Sequence, residues 1–355
     1  MAYTVLYASG WEAGTLGFYT QAGWTVSSGT VTIQSVAPYL HKTGLGYGGA
    51  YSVFLNEFPG AALRSPTLPA GGRWINFWYG TTPALWSALN PPLYFTLGGS
   101  SYQAAVVFNY FSQRVDFYCD GVIVASSSVG TWVPGTPYWV SVFYEADPVA
   151  GRCKVYLDGV MVLDTGVGDT STAGVAGWDG FTFGYVGVGP NYGGWGGAID
   201  DLSVTDDDGG TITSPPFPEC YAIAQVPGSD VTTGLTPNPG APNYGNVDDI
   251  PAQQVTYNEA TAPGQEDLYG LVAMAVAPAS IPIVAVWAQA TRDGGITQGE
   301  LHVVSGLSDT YGTVETLPAT PSFGSIARYF AENPDGPAAW SQVTVDAMQI
   351  GIRFT

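Results

Sequence analysis

Short runs of Val, Tyr, Phe, Trp and Thr recur along the 355-residue chain, and 48 glycines and 26 prolines interrupt them so steadily that no long helix has room to form. Alternation or dense β-formers predict strands at Tyr3 to Tyr7, Thr30 to Val36, Tyr51 to Leu55, Arg73 to Tyr79 and Tyr94 to Leu97. The same pattern continues at Ala104 to Phe108, Arg114 to Cys119, Tyr138 to Tyr144, Lys154 to Leu157 and Phe181 to Val186. Many short strands at this spacing argue a β-sandwich or jelly roll. Two stretches, VDFYCDGVIVA and CKVYLDGVMVLD, carry Asp-Gly between apolar runs at Asp120-Gly121 and Asp158-Gly159. Each predicts a hairpin with a type I′ turn, because both central residues need positive φ, which Gly accepts freely and Asp tolerates.

A composition break at DDDGGTITSPPFPEC, residues 206–220, predicts a domain boundary. The expected division is residues 1–208, a linker 209–220, and a second, smaller β-sandwich at 221–355 with one short helix. Strands are expected there at Glu266 to Val276, Ile281 to Thr291, Leu301 to Val304, Phe323 to Phe330 and Ile350 to Phe354. Ser341 is placed to cap the helix, Val345 and Met348 fall on one face, and Gly351 is expected to end it. Thr232 to Asp249, rich in Pro, Gly and Asn, is expected to be a long loop or arm and not a packed element.

Composition narrows the function. Apolar residues reach 46%, enough for full cores, while charged residues are 11% against roughly 25% in ordinary globular proteins. Such a surface, with abundant Tyr and Trp, suits packing against neighbours or holding sugars. The net charge of −20, from 29 acidic and 9 basic residues, repels phosphate backbones and anionic membranes and so argues against nucleic-acid or membrane partners. No run of 18 or more apolar residues is present. The opening MAYTVLYASGWEAG shows no Sec signal and reads straight into a strand. Cys119, Cys153 and Cys220 are widely spaced, without CxxC or Cys/His clustering, so neither a disulfide framework nor a zinc site is indicated. Synthesis in a host cytoplasm and assembly into a particle released by lysis fit these features.

Three segments in order carry a resemblance. TPYWVSVFYEAD (Thr136 to Asp147), KVYLDGVMV (Lys154 to Val162) and GWGGAIDDLSV (Gly194 to Val204) resemble the Trp strand, the "vYvDG" hairpin and the closing strand of LamG-like, or concanavalin A-like, jelly rolls. The resemblance covers roughly residues 100 to 205, and VLYASGWEAG is similar to the opening strand of phage-borne members. It implies that IDDLSV returns to pair beside the first strand, with Ile199, Leu202 and Val204 at buried or partly buried positions. Residues 219–355, with NYGNVDDIPAQQVTYNEATAPGQEDLYGL and RYFAENPDGPAAWSQVTVDAMQIGIRF, resemble a domain of tailed-phage virion proteins.

Concanavalin A-like folds also host glycosidases, which need paired carboxylates on a cleft strand. Glu145-Ala146-Asp147 is followed by Pro148 and lacks the further Glu, so no catalytic residues are assigned and the chain is expected not to be an enzyme. His41 and His302 stand far apart, and GLGYGG at Gly44 to Gly49 reads as a loop and not as a phosphate cradle. Calcium is the one cofactor with footing: the family implies a rim site, with Glu12, Asp200, Asp201, Asp206, Asp207 and Asp208 as candidate ligands. The plainer alternative makes Asp200 and Asp201 strand residues and Asp206 to Asp208 a solvated turn. For stacking on sugar C–H groups, the candidates are Trp178, Tyr185, Tyr192 and Trp195, and for each taken singly a place in the core or in a subunit contact is the plainer alternative; Trp139 belongs to the core.

These readings converge on a structural or adhesion protein of a phage virion: a capsid decoration protein, head or tail fibre, or baseplate appendage. The partners expected are other virion proteins of capsid or tail, further copies of the chain in a homo-oligomer, and a host-surface glycan. The alternatives are a free carbohydrate-binding lectin or adhesin and, behind it, a glycoside hydrolase.

Overall fold

The computed structural model describes residues 5–9, 24–28, 31–34, 52–55, 62–69, 71–80, 92–97, 101–109, 111–184, 197–206, 215, 223–248, 255–274, 277–292, 294–320, 323–336 and 338–355. The chain divides into two compact units, with the second running from Ile223 to the C-terminus. Among the described residues no helix is long and apolar enough to cross a membrane.

The strands of the first unit are, in chain order, β1 (Val5–Ser9), β2 (Thr25–Ser28), β3 (Val31–Gln34), β4 (Ser52–Leu55), β5 (Ala62–Arg64), β6 (Arg73–Gly80), β7 (Pro92–Leu97) and β8 (Ser101–Asn109). They continue with β9 (Arg114–Cys119), β10 (Val122–Ser126), β11 (Tyr138–Glu145), β12 (Arg152–Leu157), β13 (Val160–Asp164), β14 (Gly180–Gly184) and β15 (Gly197–Asp206). One sheet has the order β13-β12-β11-β6-β15-β4-β3, with β1 also paired to β15; the other has β10-β9-β8-β7-β14-β5-β2. The pairs are antiparallel, and strands distant in sequence lie side by side, as in a jelly roll.

Side chains on the inner faces join the sheets through aromatic contacts. Phe95 of β7 meets Tyr144 of β11 at 4.3 Å between ring centroids, Phe77 of β6 meets Phe183 of β14 at 5.0 Å, and Tyr79 meets Phe108 at 5.3 Å. The closing strand returns to the first as expected: Val5 lies opposite Thr205 and Ser9 opposite Leu202. Ile199, Leu202 and Val204 are buried. Both Asp-Gly turns have the left-handed backbone their sequence demands, with φ of 53° and 74° at Asp120 and Gly121 and 49° and 78° at Asp158 and Gly159.

The second unit contains β16 (Pro227–Thr233), β17 (Thr236–Asn238), β18 (Tyr257–Glu259), β19 (Glu266–Leu271), β20 (Val284–Ala290), β21 (Gln298–Ser305), β22 (Ser308–Tyr311), β23 (Glu315–Thr316), β24 (Gly324–Phe330), the helix α1 (Gln342–Asp346) and β25 (Gln349–Phe354). Its main sheet runs β16-β19-β25-β21-β22, with β23 also on β21, and β20 pairs with β24 as a separate ribbon. Val286 and Ile326 of the ribbon, Leu301 and Val303 of the sheet, and Trp340 and Val345 around the helix share one core.

Two expectations are corrected here. The helix is capped by Ser341, whose hydroxyl accepts from the Thr344 amide at 3.2 Å, but it ends at Ala347 and not at Gly351. Gly351 sits inside β25, where a Cβ would lie 2.0 Å from the Asp267 carbonyl oxygen, so its role is close strand approach. The stretch Thr232 to Asp249 is not an arm, since it supplies part of β16, all of β17 and a 3-10 turn at Tyr244–Asn246. A wholly buried carboxylate, Asp267, anchors it. One oxygen accepts from the Gly234 and Leu235 amides at 2.8 and 2.9 Å, and the other from Asn243 Nδ2, Asn258 Nδ2 and the Tyr269 hydroxyl at 2.8, 3.1 and 2.7 Å. Proline-rich sequence has become packed structure because one buried carboxyl group accepts from Gly234, Leu235 and Asn243 of this stretch together.

Candidate functional site

Of the predicted sugar-stacking residues, Tyr185, Tyr192 and Trp195 lie outside the described residues. Trp178 is corrected: it is fully buried, 5.0 Å from Phe95 and 5.9 Å from Tyr144, and its Nε1 donates to the Tyr144 carbonyl at 2.9 Å. The Arg73 guanidinium lies 5.1 Å from its ring centroid, so no face is left for a sugar.

Glu12, Asp207 and Asp208 of the expected calcium site also lie outside the described residues. Asp200, Asp201 and Asp206 belong to β15, and they do not make one site. Asp200 stands opposite Trp78 and Asp206 opposite Arg73. Those positions are five residues apart on β6, roughly 17 Å at strand rise, too far for one ion to bridge. Asp200 is wholly buried and accepts from the Asp201 amide at 2.8 Å. Among the described residues no group of three His, Cys, Asp or Glu side chains is arranged to hold a metal ion.

The pair Glu145 and Asp147 divides between two roles. Glu145 ends β11 opposite Arg152, and burial, with Asp147 nearby, raises its carboxyl above the usual range. Asp147 accepts from the Val149 and Ala150 amides at 2.7 Å each and is held below its usual range by those bonds, closing the turn that leaves the strand.

Sequence reasoning missed a polar row on the first unit. Ser141 of β11, Asn76 of β6 and Ser203 of β15 are in register on the sheet face opposite the aromatic core, between rows bearing Trp74 and Phe143 and Trp78 and Trp139. Asn76 Nδ2 donates to Ser203 Oγ at 3.4 Å. All of these side chains are buried, so this face is enclosed in the folded chain.

An accessible cleft of about 320 Å³ lies on the second unit, lined by Tyr311, Gly312, Thr313, Glu315, Ile326, Ala327 and Arg328. Register explains the assembly. His302 and Gly299 of β21 pair with Tyr311 and Glu315, which places β22 and β23 along one strand, while Arg328 comes from the ribbon. Gly312 permits the crossing, since a Cβ there would sit 2.9 Å from Arg328 Cδ.

Tyr311 is fixed. His302 stacks on its ring at 4.2 Å, the Arg353 guanidinium lies 3.7 Å from its centroid, and its hydroxyl donates to Glu266 at 3.2 Å. With both faces taken, the ring walls the cleft by its edge. Arg353 is itself bound to Glu300. Arg328 is different. Its Nη1 donates to the Thr310 carbonyl and hydroxyl at 3.1 and 3.3 Å, its guanidinium lies 4.8 Å from the Phe330 centroid, and no carboxylate among the described residues pairs with it within 4.0 Å. Burial lowers its pKa from the ordinary arginine value, yet a guanidinium remains charged. The cleft therefore offers a half-buried cation with unspent donors, an exposed carboxylate at Glu315 and the Thr313 hydroxyl.

No protein-family model matches the chain, and no curated protein matches it. Solved structures similar to it include the cellulose-induced protein Cip1, at 17% identity and a TM-score of 0.39 over 56% of this chain and 96% of that one. A Bacillus subtilis protein of unknown function with a galectin-like fold is 13% identical, with a TM-score of 0.38 over 57% and 97%. The metal-free carbohydrate recognition domain of Emp46p is 9% identical, with a TM-score of 0.38 over 58% and 99%. None of these likenesses assigns a function to the chain.

Proposed function

We propose that the chain is a non-catalytic structural or adhesion protein of a phage particle, and that it holds an acidic sugar of a host-surface glycan in the cleft of its second unit. The observation that carries the reading is Arg328, a half-buried guanidinium lining an open cleft, which no carboxylate among the described residues pairs with within 4.0 Å, the nearby Glu300 being bonded to Arg353. A sugar carboxylate supplies the missing anion through charge-assisted bonds, while Glu315 and Thr313 bond hydroxyl groups. A cleft of about 320 Å³ has room for the end of a saccharide. The low charge and abundant aromatic residues of the chain, and the resemblance of residues 219–355 to virion proteins, support the particle.

Calorimetric titration of the full chain with uronic-acid and neutral oligosaccharides tests the binding. The expected result is saturable binding of the acidic series that weakens at least tenfold in Arg328→Gln, with no cleavage of the oligosaccharides; no binding, equal binding by the variant, or cleavage overturns the reading. Mass spectrometry of purified particles tests the location: the chain is expected at stoichiometric abundance, and its absence contradicts the virion role.

A further inference from the structure

The twin Asp-Gly hairpins have no part in the cleft. β10 is the terminal strand of one sheet and β13 the terminal strand of the other, and these two edges come together on one flank. The hairpins match closely: each has Val directly after its turn, then Ile123 or Met161, and each bulges at the next residue, Val124 or Val162. A bulge blunts an edge against simple strand addition, but Val122–Ser126 carries no charged guard and Val160–Asp164 only Asp164 at its far end, which is paired with Arg152. The apolar side chains instead face solvent: Val122 and Val160 are each 65% exposed, Met161 51%, Val124 47% and Ile123 43%.

We propose that this flank is a self-association face through which two copies of the chain pair about a two-fold axis. These five side chains expose on the order of 450 Å² of apolar area, matching the apolar centre of a standard interface of roughly 800 Å² per partner. A second copy is the occupant that the pattern fits. The β9–β10 hairpin of one copy meets the β12–β13 hairpin of the other, and the two-fold repeats the contact reciprocally with near-identical side chains. The five side chains carry no charge, while Asp120 and Asp158 at the two exposed turns border them, so with a net charge of −20 the pairing of two copies is opposed at low salt and eased as salt screens it. The proposal concerns the first unit alone and stands whether or not the cleft binds sugar.

Sedimentation equilibrium of the full chain at up to about 100 μM tests it. The wild type is expected to dimerise, more tightly as salt screens the repulsion, and Val124→Lys and Val160→Lys are expected to weaken the dimer at least tenfold. Unchanged circular dichroism shows that the variants fold; if a lysine variant does not, Val122→Ser and Met161→Ser are expected to weaken the dimer in the same direction. A chain that stays monomeric throughout, or a dimer that all four substitutions leave intact, overturns the proposal.

Discussion

At the scale of single residues, the largest effects come from charges that the fold has removed from water. Replacing Asp267 by Ala removes five hydrogen bonds at once and leaves the Leu235 amide and the Tyr269 hydroxyl without their acceptor, so Asp267→Ala is expected to lose about 3–5 kcal/mol, read by equilibrium urea denaturation. Tyr269, whose hydroxyl donates to that carboxylate, is pushed far above its usual pKa by burial and by Asp267, so it remains a donor at any ordinary pH. Asp164 on the flank of the first unit is a milder case. Arg152 donates to it from Nε at 2.8 Å and holds its carboxyl below the usual range. A depressed carboxylate stabilises the fold above its unfolded pKa of about 3.9, and the contribution disappears as pH falls through the folded value. Asp164→Asn is therefore expected to cost under about 1 kcal/mol at neutral pH, because both partners are partly exposed, and the gap from wild type is expected to close in acid. Thermal unfolding across that pH range reads it; a gap that persists unchanged in acid contradicts the assignment.

At the scale of elements, local rules were enough wherever one residue decides a conformation. Asp120-Gly121 and Asp158-Gly159 need positive φ and have it; Ser341 needs only its own hydroxyl to start a helix. Ser341→Ala is expected to lower stability by about 1 kcal/mol, measured by denaturant titration. What sequence could not show is what depends on register. Gly351 looked like a helix stop because glycine has two uses, and only the pairing of β25 with β19 reveals that it makes room for Asp267. Asn76, Ser141 and Ser203 each interrupt an apolar strand, a faint signal that becomes a row only once β6, β11 and β15 are known neighbours. Trp178 left two readings open, since a tryptophan beside glycines suits an exposed platform or a core, and only its contacts with Phe95 and Tyr144 decide for the core.

At the scale of the whole molecule, the β class and jelly-roll architecture were legible because strand alternation and turn chemistry agree along the first unit. The cleft was not. Arg328 and Glu315 lie thirteen positions apart on different layers, and no spacing rule links them before β21 collects β22 and β23 and the ribbon lies nearby. The central claim is that the cleft, and not the enclosed face of the first unit, receives the sugar. Amide NMR of the full chain titrated with a uronic-acid oligosaccharide tests it most directly. Shifts concentrated at Thr310 to Glu315 and at Ile326 to Arg328 are predicted; shifts centred on Asn76, Ser141 and Ser203 would contradict it.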